Sequence, residues 1–266
     1  MATDDEIVHR RVLNSVAFMI PELALDVTPP EIAQQVYRVV YENTVENDPY
    51  RYAKIRADDL AMSFYPLMKD RVDYSDDPLQ TACKLAIGGN AIDLGAQAEY
   101  SDMNTIIEES LSCALNLEDY KLFKQSITDA SSILYIGDNA GEVEFDRILT
   151  EQILKINSNN IVYVVREKPI INDATIEDTI RVGLDKVVKV ISSGSVAPAT
   201  ILSQCSPEMK SMYNSADVII AKGQGNYESL CNSPENIFFF FKVKCPVIAR
   251  DCGYDIGTLA LISNSS

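Results

Sequence analysis

Five short stretches of this 266-residue chain combine acids, amides and glycines in patterns that could do chemistry: GDNAGE (137–142), REKPIINDAT (166–175), SSGS (192–195), KGQGNYE (222–228) and RDCGYD (250–255). Two carboxylates and an amide, Asp138, Asn139 and Asp173, are the oxygen donors that a hard divalent cation such as Mg²⁺ or Mn²⁺ prefers. Such an ion keeps positions open for water and phosphate oxygens. Consecutive backbone N–H groups at Gly223 to Gly225, opening a helix, would cradle an anion, and Lys222 would add positive charge beside it. A cation facing an anion cradle is the equipment of phosphate chemistry. Taken singly, each residue has an ordinary use, since Asp and Asn before a helix serve as N-caps and Gly after a strand serves a turn. The recurrence of such turns after successive strands is what points to a site.

Other chemistries lack material. His9 is the only histidine and stands in the polar start of an amphipathic segment, so Ser-His-Asp or Cys-His catalysis, or a histidine-rich metal site, would need that one imidazole to serve everything and has almost no material here. Six cysteines, Cys83, Cys113, Cys205, Cys231, Cys245 and Cys252, form no CxxC pair and read as reduced, mostly buried thiols. No GxxxxGK[ST] occurs, and GQGNYE ends in Glu228 where a dinucleotide fingerprint needs its third glycine. GDNAGE also lacks the DxDx[TV] spacing of a haloacid-type aspartyl nucleophile.

The elements that must position these turns follow from hydrophobic pattern. SILYI (132–136), NIVYVV (160–165), KVVKVI (186–191), ADVIIA (216–221) and IFFFF with PVIA (237–241, 246–249) are continuous apolar runs of the kind buried on both faces of a sheet. Helix-compatible stretches separate them, which implies βαβ units and a doubly wound, mostly parallel sheet. In such a sheet the turns after the strands all emerge at the carboxyl edge, where open α/β folds hold ligands. Asp138, Asn139, Asp173, Lys222, Asn226 and Asp251 are therefore expected to converge there.

Residues 1–130 read differently. They carry 23 acids against 11 bases, whereas residues 131–266 carry 16 against 12 and hold eight of the eleven glycines. Apolar residues recur at three and four positions from Asp4 to Phe18 and through IAQQVYRVVYENT, DPYRYAKIRADDLAMSFYPLMKD, PLQTACKLAIGGNAIDLGAQ, MNTIIEESLSCAL and LEDYKLFKQSITDAS. The expected architecture is an all-α domain (1–130) followed by a Rossmann-like α/β domain (131–266). The net charge of −16 argues against a nucleic-acid partner. No run approaches the ~18 apolar residues of a membrane span, and MATDDEIVHRR lacks the order of a signal peptide. No membrane partner is expected, and the expected location is cytoplasmic.

GDNAGEVEFD, VYVVREKPIINDAT, SSGS, ADVIIAKGQGNYESL and KCPVIA, with the upstream GGNAIDLGA (88–96), make the chain resemble the metal-dependent damage-control phosphatases, once a domain of unknown function, and within them the compact prokaryotic branch. The resemblance covers nearly the whole chain. It implies a divalent metal (Mn²⁺, Mg²⁺, Co²⁺ or Ni²⁺) on Asp138, Asn139 and Asp173, which would also be the catalytic residues. It implies substrate phosphate on Lys222, Gly223 and Asn226, further contacts from Asn90 and Asp93, and Ser193 and Gly194 in the SSGS block. The substrates implied are small phosphorylated metabolites such as sugar phosphates. Three departures bear on pocket shape: the chain starts at Met1 without the cysteine-containing segment many relatives have, Glu167 stands in place of a small residue, and Ala199 in place of a glycine.

Direct attack by water and a phospho-aspartyl intermediate on Asp138 both remain compatible with these residues. Two rival functions use the same elements. An S-adenosylmethionine-dependent carboxyl methyltransferase would need an acid ending the second strand, for which only Glu167 offers itself; a non-catalytic phosphometabolite-binding protein would need the same cleft without turnover.

Overall fold

Strands built from unbroken apolar runs need cover on both faces, and this chain supplies it from two sources. The computed structural model describes residues 3–24, 27–44, 46–90, 100–158 and 160–264. Six helices come first: α1 (Glu6–Met19), α2 (Pro29–Asn43), α3 (Arg51–Asp73), α4 (Pro78–Gly89), α5 (Tyr100–Ser112) and α6 (Leu117–Asp129). Alternation then begins with β1 (Ser132–Ile136), α7 (Val143–Ile156), β2 (Asn160–Val165), α8 (Ile176–Arg181), β3 (Lys189–Ser192), α9 (Pro207–Ser215) and β4 (Val218–Lys222). It closes with α10 (Gln224–Leu230), β5 (Ile237–Lys242), α11 (Pro246–Cys252) and β6 (Leu259–Ser263).

The sheet runs β3-β2-β1-β4-β5-β6, parallel except for β6, which pairs antiparallel with β5. This is the expected doubly wound α/β order, with the strand sequence reversing between β1 and β4. Alternate residues of each strand enter different cores. Ile133, Tyr135, Tyr163, Phe238 and Phe240 pack with Phe64, Leu85 and Phe123 of the leading helices and Phe145 of α7. Leu134, Ile136, Val164, Phe239 and Phe241 pack against Met209, Tyr213, Tyr227 and Ile248 of α9, α10 and α11. Phe123 lies edge-on to both Phe238 and Phe240, with ring centroids 5.2 Å away in each case; each fully buried ring contributes about 2–3 kcal/mol. Helices α3 to α6 thus share one cover of the sheet with α7 rather than forming a separate core, while α1 packs on α2 and α2 on α10, and we propose residue 130 as a boundary of architecture only.

Two expectations are corrected at the C-terminal end. PVIA is not strand: Pro246 opens α11, where a fixed φ and a missing N–H suit the first helical turn and would break a ladder. The sixth strand is LALIS instead. RDCGYD therefore ends α11 within the connection from β5 to β6 rather than following a strand directly, and Asp251 accepts a hydrogen bond from the Tyr227 hydroxyl at 2.8 Å. Two boundaries also shift. Lys186 closes a short 3₁₀ turn, so the third strand starts at Lys189, and only Pro207–Ser215 of the stretch before β4 is α-helical. Among the described residues no helix is long and apolar enough to cross a membrane.

Candidate metal and phosphate site

Reversal of strand order leaves a crevice above β1 and β4, and GDNAGE and KGQGN open into it from those two strands. Segment 166–175 arrives from β2 and is tied down by backbone pairing: Ala140 N–H to Asn172 O (2.9 Å), Ala174 N–H to Asp138 O (2.8 Å), and a bridge between Asn139 and Asp173. Ile171 takes φ 46° in the turn ahead of Asp173, a left-handed conformation that costs a β-branched residue about 1–3 kcal/mol and persists only where surroundings enforce it. The predicted ligands Asp138, Asn139 and Asp173 therefore come together from positions 34 and 35 residues apart in sequence.

Their hydrogen bonds are one-sided. Asp138 Oδ2 accepts from Asn90 Nδ2 (2.9 Å) and Asn139 Nδ2 (3.0 Å), and Asp173 Oδ2 accepts from Arg166 Nε (2.7 Å). The other oxygen of each carboxylate, and Asn139 Oδ1, accept nothing from the described residues. Burial, followed by the nearby Glu142 and Asp173 carboxylates, pushes Asp138 up to about 8. Burial also raises Asp173, against the pull of Arg166. Such a set is short of positive charge and fits a hard cation: two carboxylates and an amide, each with one oxygen unspent. Among the described residues no group of three or more His, Cys, Asp or Glu side chains could hold a metal, so a cation here depends on the amide as third donor.

Gly223 has the φ of 82° that glycine tolerates, and a Cβ there would lie 1.9 Å from Asp138 Oδ2. Glycine is what lets the start of α10 approach Asp138. The Gly223 N–H is spent on Phe240 O (3.0 Å), which leaves the first-turn N–H groups of Gln224 to Asn226 for an anion. Asn226 is buried and structural in its contacts: its Oδ1 accepts from Thr200 N–H (2.8 Å), and its Nδ2 donates to Lys222 O (2.7 Å).

Lys222 lies deeper than its expected role implies. Lys222, Glu142 and Asp146 are each 0% exposed, and Lys222 Nζ donates to Glu142 Oε2 (3.0 Å) and Asp146 Oδ1 (2.6 Å). Burial alone would lower its pKa, but Asp146 and Glu142 outweigh that and raise it. Two of its three N–H donors are spent on these carboxylates, so one remains for a phosphate that reached this depth. Asp146 accepts also from Tyr135 (2.8 Å) and Tyr163 (2.7 Å), so it is fully satisfied.

Asn90, at the end of α4, does reach the crevice, bonding both Asp138 and Glu142. Gly88 permits the approach of α4 to α5, because a Cβ there would meet Ser110 Oγ at 1.7 Å. Asp93 lies outside the described residues. Ser193 and Gly194 make the turn after β3, two strands from β1 and so ~10 Å away. Ser193 Oγ accepts from Ser195 N–H (3.2 Å), and Gly194 N–H donates to Ser192 Oγ (2.9 Å). The structure does not join them by hydrogen bond to the Asp138 group.

Sequence reading missed Glu142, Asp146 and Arg166. Glu142 and Asp146 were signalled by their four-residue spacing at the start of α7, which puts them on one face. Arg166 is 1% exposed, pairs with Asp173, and reaches Thr200 Oγ1 at 3.4 Å. A hollow of 640 Å³ beside this loop is lined by Tyr41, Asn47, Arg51, Lys168, Thr175 and Ser192, with Asp48, Glu167 and Glu177 as its acids.

Behind the GDNAGE loop, Asp58 of α3 accepts the Gly141 N–H at 2.7 Å, while its second oxygen is buried without a partner among the described residues. Burial and, next, Asp178 push Asp58 up to about 7 from 3.8. A carboxyl raised on folding destabilises once pH exceeds its folded value, and this penalty fades as pH falls toward 3.8. Asp58→Asn, which keeps an acceptor for Gly141, is expected to melt above wild type at pH 9 by about 1–3 kcal/mol, with the gap closing toward pH 4. Thermal melts across that range check this, and a wild type more stable at pH 9 would contradict it.

An α/β crevice with oxygen donors at the reversal of strand order defines a ligand-binding class but not yet a family. A model of the damage-control phosphatase ARMT1-like domain matches residues 1–259, and the chain belongs to that family. It is 36% identical to a damage-control phosphatase of Pyrococcus horikoshii, over 99% of this chain and 92% of that protein. It is 32% identical to a damage-control phosphatase of Archaeoglobus fulgidus, over 97% and 91%. An uncharacterized protein of Methanocaldococcus jannaschii is 36% identical over 98% and 88%. A 2.04 Å crystal structure of a duf89 family protein from Pyrococcus horikoshii matches with TM-score 0.91 and 35% identity, covering 99% of this chain and 92% of that one.

Proposed function

We propose that the protein is a divalent-metal-dependent phosphomonoesterase acting on small phosphorylated metabolites. The observation that carries this reading is the trio of unspent oxygens on Asp138, Asn139 and Asp173 at the mouth of the crevice; membership in a phosphatase family agrees with it. A bound Mn²⁺, Mg²⁺, Co²⁺ or Ni²⁺ would supply Lewis-acid polarisation of a phosphoryl oxygen and an activated water.

The chain does the rest. Asp138, Asn139 and Asp173 would hold the cation, and the first-turn N–H groups of α10 would orient the phosphate. Lys222 offsets Glu142 and Asp146 from below, so its part in this reading is charge balance beneath the floor of the site. Arg166 fixes Asp173 through one carboxylate oxygen and leaves the other to the crevice. The hollow beside Thr175, which shares the 166–175 segment with the site but is lined by none of Asp138, Asn139 and Asp173, would take the body of the substrate. Glu167, on which a methyltransferase reading depends, is exposed and accepts from Ser192 Oγ on the edge strand.

Phosphate release from a panel of sugar phosphates and an aryl phosphate, after chelation and then with each of the four metals restored singly, tests the proposal. Activity is expected to vanish on chelation and to return with at least one of these ions. Turnover that survives chelation at full rate rejects it.

A further inference from the structure

We infer that Glu142 is a positioning residue: it fixes the amide of Asn139 with its oxygen toward the crevice and so creates the third oxygen donor. The inference rests on the metal reading above and goes beyond it in assigning a role to a residue that no part of that reading uses as a ligand. Glu142 is completely buried, and an ionised carboxylate can only accept. Its Oε1 takes Asn139 Nδ2 (2.7 Å) and Asn90 Nδ2 (2.8 Å), and its Oε2 takes Lys222 Nζ (3.0 Å). Asn139 Nδ2 also donates to Asp138 Oδ2 (3.0 Å), so both of its hydrogens are spent on carboxylates. Turned over, the amide would set its own oxygen against those two acceptors in a buried setting, which costs a lost bond on each side. One orientation is therefore selected, and Lys222 selects the state of Glu142 in turn, because an ammonium requires an acceptor.

Glu142→Gln inverts this logic with almost no change of shape. Its oxygen must stay on Lys222, so its NH₂ faces the Asn139 and Asn90 amides that donate to Glu142 in the wild type; Asn139 is left with Asp138 as its one acceptor, and its orientation is no longer fixed from both sides. Asn139→Asp added to Glu142→Gln restores one of the two bonds: an aspartate accepts from the glutamine NH₂ and still offers oxygen to the crevice, with total charge as in wild type, while its contact with Asp138 Oδ2 becomes acceptor against acceptor. Titration of Mn²⁺ into metal-free protein by calorimetry is expected to show about 30-fold weaker binding for Glu142→Gln, in the 10- to 100-fold range seen for residues that orient ligands. The double variant is expected to bind more tightly than the single one, recovering part of the loss. A purely structural Glu142 would not be rescued by a change at residue 139.

Mn²⁺ affinity unchanged in Glu142→Gln overturns the inference, and so does a double variant that binds no better than the single or fails to fold. A wild type that binds no Mn²⁺ sinks the metal reading alone. The orientation is then read in metal-free protein from the side-chain ¹⁵N–H₂ signals of Asn139. These are expected to exchange slowly with solvent in wild type and rapidly in Glu142→Gln, and equal protection in both overturns it.

Discussion

Asp138→Ala is expected to abolish metal-dependent phosphate release, by about 10³-fold or more, while raising the melting temperature of the metal-free protein. The first effect follows from removing one of three donors and whatever attack Asp138 itself makes; a thousandfold corresponds to ~4 kcal/mol of transition-state stabilisation. The second follows from the burial of Asp138 and, after it, its crowding with Glu142 and Asp173, which together push its carboxyl up to about 8 from the ordinary 3.8. A charge that folding brings into such company costs stability, and proteins tolerate that cost where function demands it. Activity assays and melts on the same preparation check both halves. Retained turnover would remove Asp138 from the chemistry, and a lowered melting temperature would show that its bonds to Asn90 and Asn139 outweigh the repulsion.

Lys222→Met is expected to cost stability before it costs anything else. It would leave the Glu142 and Asp146 carboxylates, both fully enclosed, without their counter-ion, and breaking a buried pair in this way typically costs 3–5 kcal/mol. With roughly 2–4 °C per kcal/mol for a chain of this size, the melting temperature should drop by about 10 °C or more. Substrate titration separates this from the role that family resemblance implies: a raised KM with unchanged melting would place the ammonium on the phosphate, whereas lowered melting with KM held in the folded fraction would place it beneath the site.

Much of this arrangement could be read from the chain in advance, for identifiable reasons. Strands such as NIVYVV are apolar throughout because both faces are covered, and the turns after parallel strands share one edge by geometry, so Asp138, Asn139 and Asp173 were bound to meet. Depth was not legible. Lys222 and Asn226 flank Gly225 in one short segment, and nothing in their spacing tells that the lysine points inward to two acids while Gly225 stays half-buried. The acids themselves, Glu142 and Asp146, look like ordinary first-turn residues of a helix, favoured there by its dipole whether or not a lysine waits below. At the C-terminal end, PVIA has the composition of a strand and Pro246 is the residue that forbids one, while LALIS is short enough to be passed over as a tail.

That last strand has a consequence for the molecule outside its reaction. Without Leu259–Ser263, the phenylalanine-rich strand from Ile237 to Lys242 would border solvent along its whole length, with a row of free N–H and C=O groups ready to pair with a neighbouring molecule. Running against its neighbour, β6 closes that template, so protection from sticking to other copies depends on this one antiparallel strand.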